Sequence, residues 1–228
     1  MPTTSISAGN SFLEPQRIVA GFGLQRGDHA ADFGAGHGFF TLAMAIAVGR
    51  DGKVWAVDIQ KEALDMVRSR AMAEHLLNIE YLRADLEQPG TSGLPERFMD
   101  FVLIGNMLFQ AQERGEVLRE AWVCLRSKGR LAMIEWDVAV PILSVPLPKL
   151  PDVESTIPTG QSPTGAVLGN FMQPRQRDGN LGIGTLGPPV AQRIKKQDAK
   201  SLAIGAGFEP DREFSAGPHH YGLLFMKP

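Results

Sequence analysis

Apolar runs of strand length alternate with apolar patterns of helix length from residue 29 to residue 136, and this exchange constrains the fold more than any other feature of the chain. Residues 29–33 read as a short strand and 39–48 as a helix. A second strand over 53–57 leads into a helix over 61–74, with Leu64, Met66, Val67 and Met72 as its apolar positions. Residues 79–83 predict a third strand. Residues 98–104 form a fourth, almost continuously apolar, which is the pattern of a strand covered on both faces. A helix over 111–125, a turn at Ser127, Lys128 and Gly129, and a fifth strand over 130–136 complete the series. Strands joined through helices by short connections run parallel, so an α/β fold is expected, with helices on both faces of a mostly parallel sheet.

The flanks complete that sheet. A short helix is expected over 12–22, ahead of a Gly27-Asp28 turn. Near the other end a helix over 197–206 is capped by Gly207, and strands over 208–214 and 221–227 enclose a Gly217-Pro218-His219-His220 turn. Two strands joined by a tight turn are antiparallel, which makes seven strands with a C-terminal antiparallel hairpin. Between them, residues 138–189 hold nine prolines and seven glycines, and no periodic helix survives that density. The expectation is one domain over 1–228, with 138–189 a Pro/Gly-rich insert that serves as a lid or substrate-binding lobe. A linker without function is the competing reading.

The segment after the first strand carries the chemistry. Asp32, Phe33, Gly34, Ala35, Gly36, His37 and Gly38 run directly into the helix at Phe39. Glycines between a strand and a helix let backbone amides approach a ligand at the helix N-terminus. A dinucleotide fingerprint needs Gly-x-Gly-x-x-Gly, and its third glycine would fall at position 39, which is Phe39. Two further acids end the next strands: Asp58, twenty residues after Gly38, and Asp85 after the third strand. Alone, Asp58 reads equally as a helix cap and Asp85 as a loop acid. Their order along the chain gives them weight together.

Gly-x-Gly-x-Gly with Asp32 ahead of it resembles motif I of the class I S-adenosylmethionine-dependent methyltransferases, and the fold implied is a Rossmann-like sheet. The resemblance implies S-adenosyl-L-methionine as cofactor, with Asp32, Gly34, Ala35, Gly36, His37 and Gly38 forming the turn beneath its methionine moiety. It further implies that Asp58 accepts the ribose hydroxyls, that Ile59 packs on the adenine, that Asp85 takes the exocyclic amine and that Leu86 covers the other ring face. His37 departs from the small or hydroxyl residue usual at its position. Gly187, Pro188 and Pro189, followed by Arg193 and Ile194 and then Ala206-Gly207-Phe208, look like the small methyltransferases of the ubiquinone/menaquinone biosynthesis type.

A sulfonium is already an activated leaving group, so in-line transfer needs alignment of a nucleophile and exclusion of water, and no metal. Gly105, Asn106 and Phe109 follow the fourth strand and are expected to face the reacting methyl, Gly105 as a cofactor contact and Asn106 as a catalytic candidate, and Glu135 and Asp137 end the fifth strand on the same edge. If the sixth strand is parallel to the first five, His219 and His220 also reach that edge as catalytic candidates, whereas an exposed turn is their plainer reading. No Asn/Asp-Pro-Pro-aromatic tetrapeptide follows the fourth strand, which disfavours exocyclic amines as acceptors. Cys124, the single cysteine, reads as a small core residue.

The formal net charge of −2 disfavours nucleic acid as a partner, and one cysteine fits a reducing, cytoplasmic setting. No apolar run reaches the length of a membrane span. The reading is therefore an enzyme acting on a small organic acceptor, with a homodimer left open. The alternatives are an RNA or protein methyltransferase, resting on the basic run Arg193, Lys195, Lys196 and Lys200, and a donor-binding protein without catalysis.

Overall fold

The computed structural model describes residues 13–139, 144–146, 183–185 and 187–228. The chain divides into two units, Met1–Pro141 with Pro188–Pro228, and Ile142–Gly187. In the first unit α1 (Pro15–Ala20) precedes β1 (His29–Phe33), α2 (Phe39–Val48), β2 (Lys53–Asp58), α3 (Lys61–Ala73) and β3 (Ile79–Arg83). Then come β4 (Met99–Gly105), α4 (Arg114–Cys124) and β5 (Leu125–Trp136). In the second unit β6 (Ser144–Pro146) pairs antiparallel with β7 (Ile183–Thr185). The first unit closes with a 3-10 turn at Val190–Gln192, α5 (Lys196–Gly205), β8 (Glu209–Ser215) and β9 (His220–Met226). The expected insert at 138–189 lies largely outside the described residues.

The seven strands are ordered β3-β2-β1-β4-β5-β9-β8, and β1 to β5 are parallel to their neighbours. β9 runs antiparallel to both β5 and β8, so β8 shares the direction of the first five. The carboxyl end of β8 and the start of β9 therefore lie on the same edge as the ends of β1, β2 and β4. Chain order reverses at β1, between β2 and β4, and a crevice at such a switch point is where open α/β sheets bind ligands.

Successive strand residues face opposite sides of a sheet, and two cores follow from that alternation. Ala31, Phe33, Val102, Ile104, Leu131 and Met133 pack under α4 and α5, together with Leu118, Ala121, Ala199 and Ala203. Ala30, Val54, Ala56, Phe101, Leu103 and Ile134 pack against α1, α2 and α3 through Val19, Leu42, Met44, Leu64 and Val67. Phe101 is stacked on Phe22 with ring centroids 4.9 Å apart, which pins α1 to the sheet. Each buried Val, Leu, Ile, Phe or Met among them stabilises the fold by about 1.5 to 3 kcal/mol.

Most bounds lie within one to three residues of the sequence reading, and two of the differences have a visible cause. β5 starts at Leu125 rather than after a turn at 127–129, because Leu125 pairs with Met99 and Arg130 with Phe101 across a register shift. Lys128 takes a positive φ of 65° there, and the segment is held to β9 by Lys128 N–H to the Lys227 carbonyl at 2.8 Å. α4 starts at Arg114 rather than at residue 111, because Glu87 Oε2 accepts the Gln112 and Glu113 amides, each at 2.7 Å, from outside the helix.

Candidate functional site

The crevice is built on the turn after β1. Gly34, Gly36 and Gly38 have φ of 74°, 51° and 80°, left-handed values that glycine adopts without cost. The Gly34 and Ala35 amides donate to the Val57 carbonyl at 2.8 and 3.1 Å, which holds the turn to the tip of β2. A Cβ at Gly38 would lie 2.9 Å from Val67 Cγ2 of α3, and one at Gly34 would lie 3.2 Å from Met107. At Gly36 a Cβ would meet only the Gly34 carbonyl at 3.8 Å, so the floor of the turn is open. α2 begins directly after Gly38 without a side-chain cap, leaving its positive end turned to the crevice.

The three acids have different surroundings. Asp58 Oδ2 accepts the Gly36 amide and Oδ1 the Gln60 amide, both at 2.9 Å, and each oxygen keeps a lone pair for a further donor. Ile59 beside it is 53% exposed, and the Ala84 amide donates to the Asp58 carbonyl at 3.2 Å, bringing the end of β3 alongside. Asp85 is half-buried, with Oδ1 accepting the Glu87 amide at 3.1 Å and Oδ2 the Gln88 side-chain amide at 2.9 Å. Leu86 is buried in the core on the α4 side, so its side chain supports the loop from beneath. Asp32 is buried and accepts the Thr41 hydroxyl at 2.6 Å; burial, with the Asp58 charge adding to it, pushes its carboxyl up to about 7. His37 is exposed on the rim, its ring 6.3 Å from Phe39.

The opposite wall comes from the end of β4. Gly105 lies against the Phe40 ring, 3.8 Å from where its Cβ would be. Asn106 has a φ of 53°, donates its amide to the Ile134 carbonyl at 2.8 Å, and has a buried Oδ1 with no hydrogen-bond partner. His220 opens β9 opposite Trp136, its ring tilted against the indole at 4.1 Å between centroids. It is buried rather than part of an exposed turn, neither ring nitrogen has a hydrogen-bond partner, and burial, aided by His219 and Arg193, pushes its pKa down to about 4. His219 is half-buried, and its carbonyl accepts the Asp137 amide at 2.9 Å. Cys124 is in the core, its thiol pushed up to about 12 by burial, which keeps it out of nucleophilic chemistry.

The structure thus brings the glycine turn, Asp58, Asp85, Gly105 and Asn106 to one end of the sheet, with the His219-His220 pair beyond β5 on the same edge. Glu135, expected at the carboxyl edge of the fifth strand, is there but fully buried, and it accepts the Met107 and Leu108 amides. Two residues with a part in this architecture went unassigned from sequence: Thr41 holds Asp32, and Met107 lies on Gly34.

A family model described as a methyltransferase domain matches residues 31–133. The ubiquinone/menaquinone biosynthesis C-methyltransferase UbiE of Yersinia pestis is 30% identical over 134 residues, covering 58% of this chain and 51% of that protein. The chain spans about half the length of the curated relatives it matches. Among solved structures, an S-adenosylmethionine-dependent methyltransferase from Aquifex aeolicus aligns with a TM-score of 0.69 at 21% identity, covering 95% of this chain and 91% of that one. The [4+2]-cyclase SpnF aligns with a TM-score of 0.64 at 14% identity, covering 93% and 80%, so the same sheet also carries a protein named for a different reaction. Residues 31–133 are thus similar to a methyltransferase domain, the curated relatives aligned with them are named C-methyltransferases, and the sheet is one that a solved S-adenosylmethionine-dependent methyltransferase shares.

Proposed function

We propose that this chain transfers a methyl group in line from S-adenosyl-L-methionine to a small organic acceptor. The observation that carries the reading is the Asp58 carboxylate, nearly buried, tied to the Gly36 amide and bordering an open turn floor. In this reading Asp58 accepts the two ribose hydroxyls, and the exposed face of Ile59 packs on the base. Asp85 takes the exocyclic amine, and buried Leu86 supports that loop. The turn from Asp32 through His37 to Gly38 and the uncapped start of α2 receive the amino-acid portion, whose carboxylate suits the positive helix end. When bound, S-adenosyl-L-methionine supplies a sulfonium with a methyl already activated toward displacement. The chain's own residues align the acceptor and keep water out: Gly105 beside the methyl, and Asn106 and the His219-His220 pair around the acceptor.

A small-molecule acceptor is supported by the UbiE relatives, which are named for ubiquinone/menaquinone biosynthesis. The basic run behind an RNA acceptor is partly engaged within the fold, which weighs against that alternative. Arg193 is buried and donates to the Pro188 and Asp137 carbonyls at 3.0 and 2.8 Å, and Lys196 is paired with Glu213 at 2.7 Å.

Calorimetric titration with S-adenosyl-L-methionine and, separately, NAD tests the cofactor, and labelled-methyl transfer to a panel of uncharged metabolites tests turnover. Heat from the first titration alone, followed by labelled product, is expected. NAD binding in its place would end this reading, whereas donor binding without turnover on any acceptor would leave a protein that holds the donor and does not transfer.

A further inference from the structure

Glu135 is completely buried at the carboxyl end of β5, a position where an ionisable side chain needs a reason to be. Its Oε1 accepts two consecutive amides, Met107 at 3.1 Å and Leu108 at 2.8 Å. Its Oε2 is buried with no hydrogen-bond partner. The same loop is gripped through its carbonyls by Arg114 of α4, whose Nε donates to Leu108 at 2.8 Å and whose Nη2 donates to Phe109 at 3.4 Å. The loop is therefore clamped on both polarities of its backbone. Beyond the clamp, the Met107 side chain lies on Gly34, the first glycine of the turn after β1. Asn106, one residue earlier, is held at a left-handed φ that is unfavourable without support from its surroundings.

We propose that Glu135 is a positioning residue, which fixes the 106–109 loop and, through Met107 on Gly34, sets the wall of the donor crevice. The inference rests on the donor reading of that crevice, although the clamp itself is independent of it. A carboxylate accepting two amides is a stronger latch than a neutral carboxyl, so its charge state governs how firmly the loop is held. Burial pushes this carboxyl up to about 7, against the lowering effect of the loop amides and of Arg114. Tyr221 faces it from β9 and is itself near Asp137 of the β5 end and Asp198 of α5. The latch is thus charged above neutrality and weakened below it.

Two variants and two readouts test the proposal: hydrogen exchange at the Met107 and Leu108 amides, and calorimetric affinity for S-adenosyl-L-methionine, each at pH 6 and pH 8. In the parent protein both amides are expected to be better protected at pH 8, after correction for intrinsic exchange. Glu135→Gln keeps an oxygen acceptor but does not ionise. It is expected to hold the loop at one level at both pH values. Glu135→Ala is expected to speed exchange at both amides and weaken donor binding about ten-fold, the loss expected when charge-assisted hydrogen bonds to a wall of the site are removed. Should Glu135→Gln retain the parent's pH dependence of protection, or Glu135→Ala loosen the amides with donor affinity unchanged, the positioning role is refuted. If the parent binds no donor at all, the donor reading fails, and the exchange data still decide whether the latch exists.

Discussion

Thr41, in the first turn of α2, donates its hydroxyl to the Asp32 carboxylate at 2.6 Å, with both side chains buried beneath the glycine turn. This bond ties the end of β1 to the helix that follows it, so the two flanks of the turn are fixed before any ligand arrives. Replacing Thr41 by Val keeps the shape and removes the donor. The expected result is a loss of about 1 to 3 kcal/mol in unfolding free energy, the cost of a buried oxygen left without its partner. Denaturant melts of the variant measure it, and the loss should be larger at pH 8 than at pH 6, since only the ionised carboxyl carries the full penalty.

Asp32 and Glu135 both have carboxyls raised to about 7 from ordinary values of 3.8 and 4.5. A raised acid pKa means that the folded state holds its proton more tightly than the unfolded chain, so this stabilisation is present in acid and is lost as pH rises through 7. His220, lowered to about 4 from 6.5, acts oppositely, its contribution being lost as pH falls from 6.5 through 4. The sum predicts that stability declines from about pH 4.5 to about pH 7, most steeply above pH 6.5 where the opposing slope from His220 ends, and levels off above neutrality. Thermal melts across that range should show a shallower slope in Asp32→Asn and in Glu135→Gln, and an unchanged slope in both would remove the two carboxyls as its cause.

Asp58→Ala removes the acceptor at the tip of β2. Donor binding is expected to weaken by about 1 to 3 kcal/mol in calorimetry, the cost of hydroxyls left without a charged acceptor. Because Asp58 also accepts the Gly36 amide, some loosening of the turn is expected as faster exchange at that amide. Affinity equal to that of the parent would take Asp58 out of the site.

Gly38→Ala tests the turn by geometry alone. The residue sits at a φ of 80°, and its Cβ would lie 2.9 Å from Val67. Left-handed strain and overpacking act together, and the variant should be destabilised by about 2 kcal/mol or more. The companion variant Gly38→Ala with Val67→Ala should recover part of that loss, and a double mutant no better than the single would show that Val67 is not the obstruction.

The order of strands and helices from β1 to β5 was legible along the chain, as were the positions of the glycines and of the acids at the strand tips, because periodicity and turn chemistry are properties of neighbouring residues. The strand at His29–Phe33 and the helix at Phe39–Val48 have the bounds their apolar patterns predict. Which polar groups meet was decided by the tertiary structure. Glu87 holds the segment that enters α4 across 25 residues of chain, and Glu135 reaches the Leu108 amide across 27, through a strand order that no local pattern encodes. His220 shows the same division: the sequence brings it to the sheet edge once β8 is known to run parallel, but its burial against Trp136 follows from the register of β9 on β5. Local patterning selects the elements, whereas the partners of a buried charge depend on which elements become neighbours and in what register.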